Sequence, residues 1–165
     1  MRPLDLAVQV AAALCRRFEG CYLHPYLCPA GVPTIGYGAT YYEDGRRVTL
    51  ADAPIAREQA EALLLWMVRT KYLPDVLKLC PGLADPGRLA ALIDFTFNLG
   101  AGALRGSTLR KRVNAGRWAD VPAEFRKWDK AGGRRLRGLT RRREAEVMVW
   151  EAAARGESGG VGGSA

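Results

Sequence analysis

The 165-residue sequence predicts an α+β fold in which helices dominate. Three observations carry that expectation. Apolar residues recur at helical steps between residues 5 and 17 and again beyond residue 54. Between these stretches, residues 21–50 are rich in β-forming side chains and are punctuated by Gly and Pro. Beyond residue 88 the pattern returns to helices separated by short breaks. An order of helix, small sheet, long helix and helical bundle is α+β, with the helices in the majority.

The elements follow in chain order. Residues 5–17, within an amphipathic segment 3–18, form a helix with Leu6, Val10, Ala13 and Leu14 on one face. Gly20 suits the position just past its end, where a positive φ is often wanted. Glu19 then stands at a helix C-terminus, a poor place for negative charge. Tyr22, Tyr26, Thr34, Ile35, Tyr37, Tyr41 and Val48 predict a small antiparallel sheet of two or three strands, with Asp44-Gly45 as a hairpin turn. Asp52 is expected to N-cap the next helix, with Pro54 in its first turn. Ala60, Leu63, Leu64, Met67, Val68 and Tyr72 make its apolar stripe, and Pro74 kinks or ends it. Residues 89–99 are apolar nearly all round, which predicts a buried helix closed by Gly100. Further helices are expected over 108–115, 120–128 and 140–154, the last N-capped by Thr140. Residues 155–165 read as a flexible tail.

The charge is lopsided: 25 Lys+Arg against 17 Asp+Glu, a net charge of +8 and a pI near 9.7. Such a chain attracts polyanions: nucleic acid, an anionic membrane face or a cell envelope. The run of arginines between residues 134 and 143 reads as a solvated face that also suits an anionic envelope. Arg142 and Glu146 read as a surface ion pair one helical turn apart. No apolar run approaches the ~18 residues of a membrane span. Asp5 and Gln9 interrupt the N-terminal apolar stretch, so no export signal is read there. Four cysteines without CxxC spacing and a single His give no metal site. The thiols are expected to be reduced where the protein is made, with Cys15 and Cys80 as small core residues.

The stretch FEGCYLHPYLCPAGVPTIGYG, residues 18–38, contains one acid, Glu19. A carboxyl set among apolar and aromatic groups holds its proton more tightly and can protonate a leaving oxygen. Glycoside hydrolysis needs such an acid and a second group on the other face of the sugar. The stretch offers no second carboxylate; it offers Cys28 and Thr34. On the residues alone, a solvated surface charge remains the alternative reading of Glu19.

The spacing Glu19, eight residues, Cys28, five residues, Thr34 resembles the signature of the phage-type lysozymes, the endolysins of glycoside hydrolase family 24. Residues 30–38 (AGVPTIGYG), Phe97-Asn98-Leu99-Gly100, Ser107-Thr108-Leu109 and the Gly138-Leu139-x-x-Arg142-Arg143-x-x-Glu146 pattern resemble the same family. The likeness spans about residues 5–152. It implies one catalytic domain over residues 1–154, with a small β lobe at about 18–52 and a helical lobe at about 75–154 that includes the N-terminal helix. A long helix joins the lobes and the substrate cleft lies between them. By the resemblance Glu19 is the general acid, Thr34 helps hold the attacking water, and Cys28 occupies the base or nucleophile position that is Asp in other members. Whether Cys28 acts as base, as nucleophile or as a small lining group stays open, and with it the inverting or retaining outcome. His24 is the one nearby residue in sequence that could lower the thiol pKa. Ala39 stands where many relatives carry His.

Candidate substrate contacts are Tyr26, Gly36, Tyr37, Gly38, Phe97, Asn98 and Thr108. Phe97 reads first as core and Thr108 first as a capping residue. The implied activity is cleavage of the β-1,4 bond between N-acetylmuramic acid and N-acetylglucosamine in peptidoglycan, for host lysis, without metal or organic cofactor. The implied setting is a monomer that waits in the host cytoplasm for a holin and binds no specific nucleic acid. A lytic transglycosylase, or a non-catalytic basic protein that binds the envelope or nucleic acid, are the alternatives. A disulfide among Cys15, Cys21, Cys28 and Cys80 is left open.

Overall fold

A computed structural model describes residues 1–156; residues 157–165 of the expected flexible tail lie outside the described residues. Helix α1 (Pro3–Phe18) enters through Pro3 in its first turn. Its buried face is Ala7, Val8, Ala11, Ala12, Leu14 and Cys15, whereas Ala13 is exposed. The stripe is thus turned from the expected one. Small side chains on it let α1 pack closely along α4 (Pro86–Leu99), the central helix. That helix is buried over every residue from Leu89 to Thr96. Asp85 caps its start by accepting from the Arg88 amide at 2.9 Å, and Gly100, at φ 90°, ends it as expected.

After α1 the chain forms β1 (Tyr22–Leu27) and β2 (Pro33–Gly36), an antiparallel pair with Tyr26 opposite Thr34. Among the described residues no third strand joins this sheet: the segment 39–47 makes only single bridges, Ile35 to Ala39 and Tyr41 to Arg47. Asp44-Gly45 does turn the chain there, with Gly45 at φ 86°. Gly20 does not take a positive φ. Its lack of a side chain serves space, because a Cβ there would meet the Tyr22 ring at 2.7 Å.

The next helix starts later than its prolines suggest. Helix α2 (Arg57–Met67) is capped at Ala56, whose N–H donates to the Gln59 side chain at 2.7 Å. Asp52 is spent elsewhere. Its carboxylate accepts from the Thr49 amide at 2.9 Å, the Thr49 hydroxyl at 2.9 Å, the Tyr42 hydroxyl at 2.8 Å and Arg46 at 2.9 Å. These donors, led by the Thr49 amide, hold its pKa well below the usual carboxylate range. A group with a depressed folded pKa adds stability above its unfolded value and loses it as pH falls through the folded one. Amide protection across residues 42–52 is therefore expected to hold from neutrality down to about pH 4 and to fade only in stronger acid. Asp52→Asn should weaken that protection already at neutral pH. Unchanged hydrogen exchange in the variant would contradict this role.

The joining helix does not break at Pro74. It widens into a π-helical turn (Val68–Tyr72) and continues as α3 (Leu73–Leu79), with Pro74 at the new start. The wider turn removes the need for the amide that Pro74 lacks. Beyond α4 come α5 (Ala101–Gly106), which carries no strong sequence signal, and α6 (Thr108–Asn114), capped by Ser107. A 3-10 turn (Trp118–Asp120) leads into α7 (Val121–Arg126). A short hairpin follows, β3 (Lys130–Ala131) and β4 (Arg134–Arg135), turned by Gly132 and Gly133 at positive φ. Helix α8 (Arg137–Ala154) starts one turn before Thr140, so Thr140 lies inside it and does not cap it. Helices α4 and α8 pack together, with Phe95, Phe125 and Trp150 in edge contacts between α4, α7 and α8. The architecture is two-lobed, predominantly helical, with a small antiparallel sheet.

Candidate active site

Glu19 is the first residue past α1. Its backbone turns extended at φ −98° and ψ 144°, while its N–H still donates to the Cys15 carbonyl at 2.8 Å. The carboxylate that a helix C-terminus disfavours is met by a cation from the far end of the chain. Arg142 Nη1 on α8 donates to Glu19 Oε1 at 2.6 Å. The same guanidinium grips Asp94 of α4 with both faces of its fork, Nε to Oδ2 at 2.9 Å and Nη2 to Oδ1 at 2.8 Å. Burial works against the Arg142 charge, but Asp94 and Glu19 more than offset it and push its pKa above the ordinary value.

The expected Arg142–Glu146 surface pair does not exist. The face of α8 that carries these residues turns inward onto α1 and α4, so Arg142 reaches across to Asp94 and Glu19. Glu146 is bonded instead by Arg143 Nη2 at 2.6 Å, and both are buried. Two members of the arginine run are therefore interior residues; Arg134, Arg135 and Arg141 are exposed.

The other two residues of the spacing motif, Cys28 and Thr34, lie at the turn between β1 and β2. The Cys28 amide donates to the Val32 carbonyl at 3.0 Å, and the Gly31 amide, at φ 75°, donates back to the Cys28 carbonyl at 2.8 Å. The backbone around Val32 lowers the Cys28 thiol pKa against the effect of burial, helped by the Ala30 backbone and the Thr34 hydroxyl. The lowering expected of His24 is thus done by the turn itself; His24 is exposed. Thr34 is buried and its hydroxyl donates to the Val32 carbonyl at 2.8 Å. Tyr26 stacks on Tyr22 with ring centroids 4.4 Å apart. Burial first, then Tyr22, Cys28 and Glu19, push its phenol up, so Tyr26 lies within electrostatic reach of both the helix end and the turn.

A thiol with a lowered pKa reacts with alkylating agents at lower pH, because the thiolate is the nucleophile. Iodoacetamide is expected to label Cys28 with a pH midpoint below the ~8.5 of a free thiol. Cys15 and Cys80, both buried with pKa pushed up chiefly by desolvation, should resist in the folded state. A Cys28 midpoint at or above the free value would contradict the turn's effect.

Glu19 opens onto a cavity of about 340 Å³ lined by Phe18, Asn98, Leu136, Gly138, Leu139 and Arg142. Asn98 Oδ1 accepts from Arg143 at 3.0 Å, which leaves its amide hydrogens as donors for a bound carbonyl. Other expected contacts fall elsewhere. Tyr37 is buried and its hydroxyl donates to Glu61 at 2.6 Å, with its pKa pushed up to about 12 by burial first. Gly36 is buried against Ala60 of α2, and its φ of 64° is what calls for glycine. Gly38 is exposed, and Thr108 is exposed at the start of α6. Phe97 packs on Tyr72 with centroids 4.8 Å apart, its expected core role. A larger cavity of about 560 Å³ lies between the 42–55 segment and α2. Its Asp52 accepts four hydrogen bonds from its own segment, and Glu19 is not part of it.

Asp94, and the contacts of Arg142 with it and with Glu19, are what sequence spacing missed. The available signal was an acid inside an otherwise apolar helix: a buried carboxylate demands a cation. Among the described residues, no group of three His, Cys, Asp or Glu side chains is placed to hold a metal, and no helix is long and apolar enough to cross a membrane.

A model of the phage lysozyme family matches residues 16–146. The chain belongs to that family. It is 37% identical over 146 residues to the endolysin of Acyrthosiphon pisum secondary endosymbiont phage 1, covering 85% of this chain and 94% of that one. The solved endolysin from Escherichia coli O157:H7 phage FAHEc1 superposes with a TM-score of 0.72 at 32% identity, over 86% of this chain and 90% of that one. The muramidase domain of SpmX from Asticaccaulis excentricus gives 0.70 at 30% identity, over 85% and 93%. This phage lysozyme is thus a muramidase-type glycoside hydrolase of the endolysin kind, and its substrate is peptidoglycan.

Proposed function

We propose that Glu19 is the general acid of this phage lysozyme and that Cys28 and Thr34 flank the opposite side of the scissile sugar. The observation that carries this reading is the placement of Glu19: one oxygen is fixed by Arg142 and the side chain opens onto a cavity. Oε2 accepts no hydrogen bond from the described residues, so it is the oxygen free to deliver a proton to the glycosidic oxygen. The Asn98 amide is suited to an N-acetyl carbonyl, and the Tyr26 ring to the sugar edge. The bond cleaved is the β-1,4 link between N-acetylmuramic acid and N-acetylglucosamine. The lowered Cys28 pKa favours thiolate, which supports a base role on the water that Thr34 helps hold.

The products test the reaction type. Hydrolysis releases muropeptides with free reducing ends. A transglycosylase releases anhydro products one water lighter, and such masses would overturn the hydrolase reading. We further propose one catalytic domain over residues 1–154, a monomer, and holin-dependent release from the host cytoplasm. Kinship with endolysins supports this; lysis of expressing cells without a holin would contradict it.

A further inference from the structure

The buried residues behind Glu19 form a closed chain of charge. Glu19 meets Arg142, Arg142 meets Asp94, Asp94 lies against Glu146, and Glu146 meets Arg143. Three carboxyl groups thus face two guanidinium groups.

The hydrogen bonds distinguish the two fully buried carboxyl groups, Asp94 and Glu146. Asp94 is held as an ionised acceptor: Oδ1 accepts from Arg142 at 2.8 Å and from the Cys15 thiol at 3.3 Å, and Oδ2 accepts from Arg142 at 2.9 Å and keeps one acceptor site. Glu146 accepts from Arg143 through Oε1 at 2.6 Å, while its Oε2 is fully buried and meets no donor. Two bare carboxylates cannot lie side by side in such a place. A buried carboxyl oxygen without a donor, on a side chain that meets an ionised carboxylate with acceptor capacity left, suits a hydroxyl group donating to that carboxylate.

We propose that Glu146 is a positioning residue that carries its proton at neutral pH and donates from Oε2 to Asp94, so that Asp94 stays an ionised, fixed anchor for Arg142 and hence for Glu19. This inference rests on the reading of Glu19 as the acid. Burial, the first cause, and Asp94 push the Glu146 pKa up, and Arg143 opposes them only in part. The charged groups that meet Glu146 are Asp94 from α4 and Arg143 from α8; Cys15 of α1 and Arg142 of α8 bond to Asp94 behind it. Glu124 of α7 is taken by Lys127 at 2.9 Å. Functionally, the proton removes one negative charge. Were Glu146 ionised, it would repel Asp94 and compete for Arg142, and the guanidinium would have no single resting place beneath Glu19.

Carboxyl-carbon NMR on the labelled wild-type protein, with Glu146→Gln fixing the assignment, reads the proton directly. The Glu146 resonance should lie in the protonated range at neutral pH, where ordinary glutamates are ionised. An ionised Glu146 at neutrality would overturn the proposal, whatever Glu19 does. Kinetics on reducing-end release supply the second readout. Glu146→Gln keeps a donor toward Asp94 and an acceptor toward Arg143, so its kcat should stay within about twofold of wild type, with the same pH profile. Asp94→Asn should lower kcat at least tenfold with KM nearly unchanged. Loss of kcat in Glu146→Gln equal to that in Asp94→Asn, or a fully active Asp94→Asn, would overturn it. Should Glu19→Gln itself prove active, the reading of the acid fails while the NMR result still decides where the proton lies.

Discussion

Glu19→Gln is expected to lower the rate of peptidoglycan cleavage by about 10²–10⁴-fold, the usual contribution of a positioned general acid. The amide keeps the size of the carboxyl and can still accept from Arg142 Nη1 through its oxygen. What it lacks is a proton that it can give to the leaving glycosidic oxygen. The fold should be unaffected, because Glu19 lies outside the apolar core and the α1 end is fixed by its backbone bond to Cys15. Reducing-end release and circular dichroism on the same preparation separate the two effects. Retained activity would remove Glu19 from the chemistry. A lost fold would move its role to structure.

Arg142→Ala is expected to have the largest effect on stability, about 3–5 kcal/mol, the cost of leaving a buried partner charge uncompensated. The guanidinium is buried and neutralises Asp94, which is fully buried between α1 and α8. Its removal strands that carboxylate, opens a void beside Phe18 and releases Glu19. Activity should fall as well, because the acid loses the Arg142 contact that fixes one of its oxygens. Asp94→Leu combined with Arg142→Met should recover much of the stability, since no bare charge remains inside. It should recover none of the activity. Urea unfolding measures the first effect, and a loss below about 1 kcal/mol would place Arg142 in the class of surface ion pairs.

Much of this was legible in the sequence because it is local. The spacing from Glu19 to Cys28 and Thr34 is set by one helix end and one hairpin, so a linear motif captures it. The apolar run 89–99 announces a buried helix through its own composition. The network behind Glu19 was not legible because its members are far apart in sequence: Arg142 lies 123 residues from Glu19 and 48 from Asp94. Helix spacing pointed Arg142 at Glu146, and tertiary packing overrode it by turning that face inward. Asp52 shows the same limit at short range. Its residue type suits a helix cap, yet the Thr49 and Tyr42 donors capture it first. Tyr37 and Gly36 carry the look of a cleft strand, but α2 covers them.

The most direct test of the central claim is a crystal structure of Glu19→Gln bound to a peptidoglycan fragment that spans the scissile bond. The account predicts the glycosidic oxygen within about 2.6–3.2 Å of the residue 19 side chain. It also predicts an N-acetyl carbonyl at Asn98 and Cys28 across the sugar. A fragment seated in the larger cavity beside Asp52, with nothing at residue 19, would contradict it.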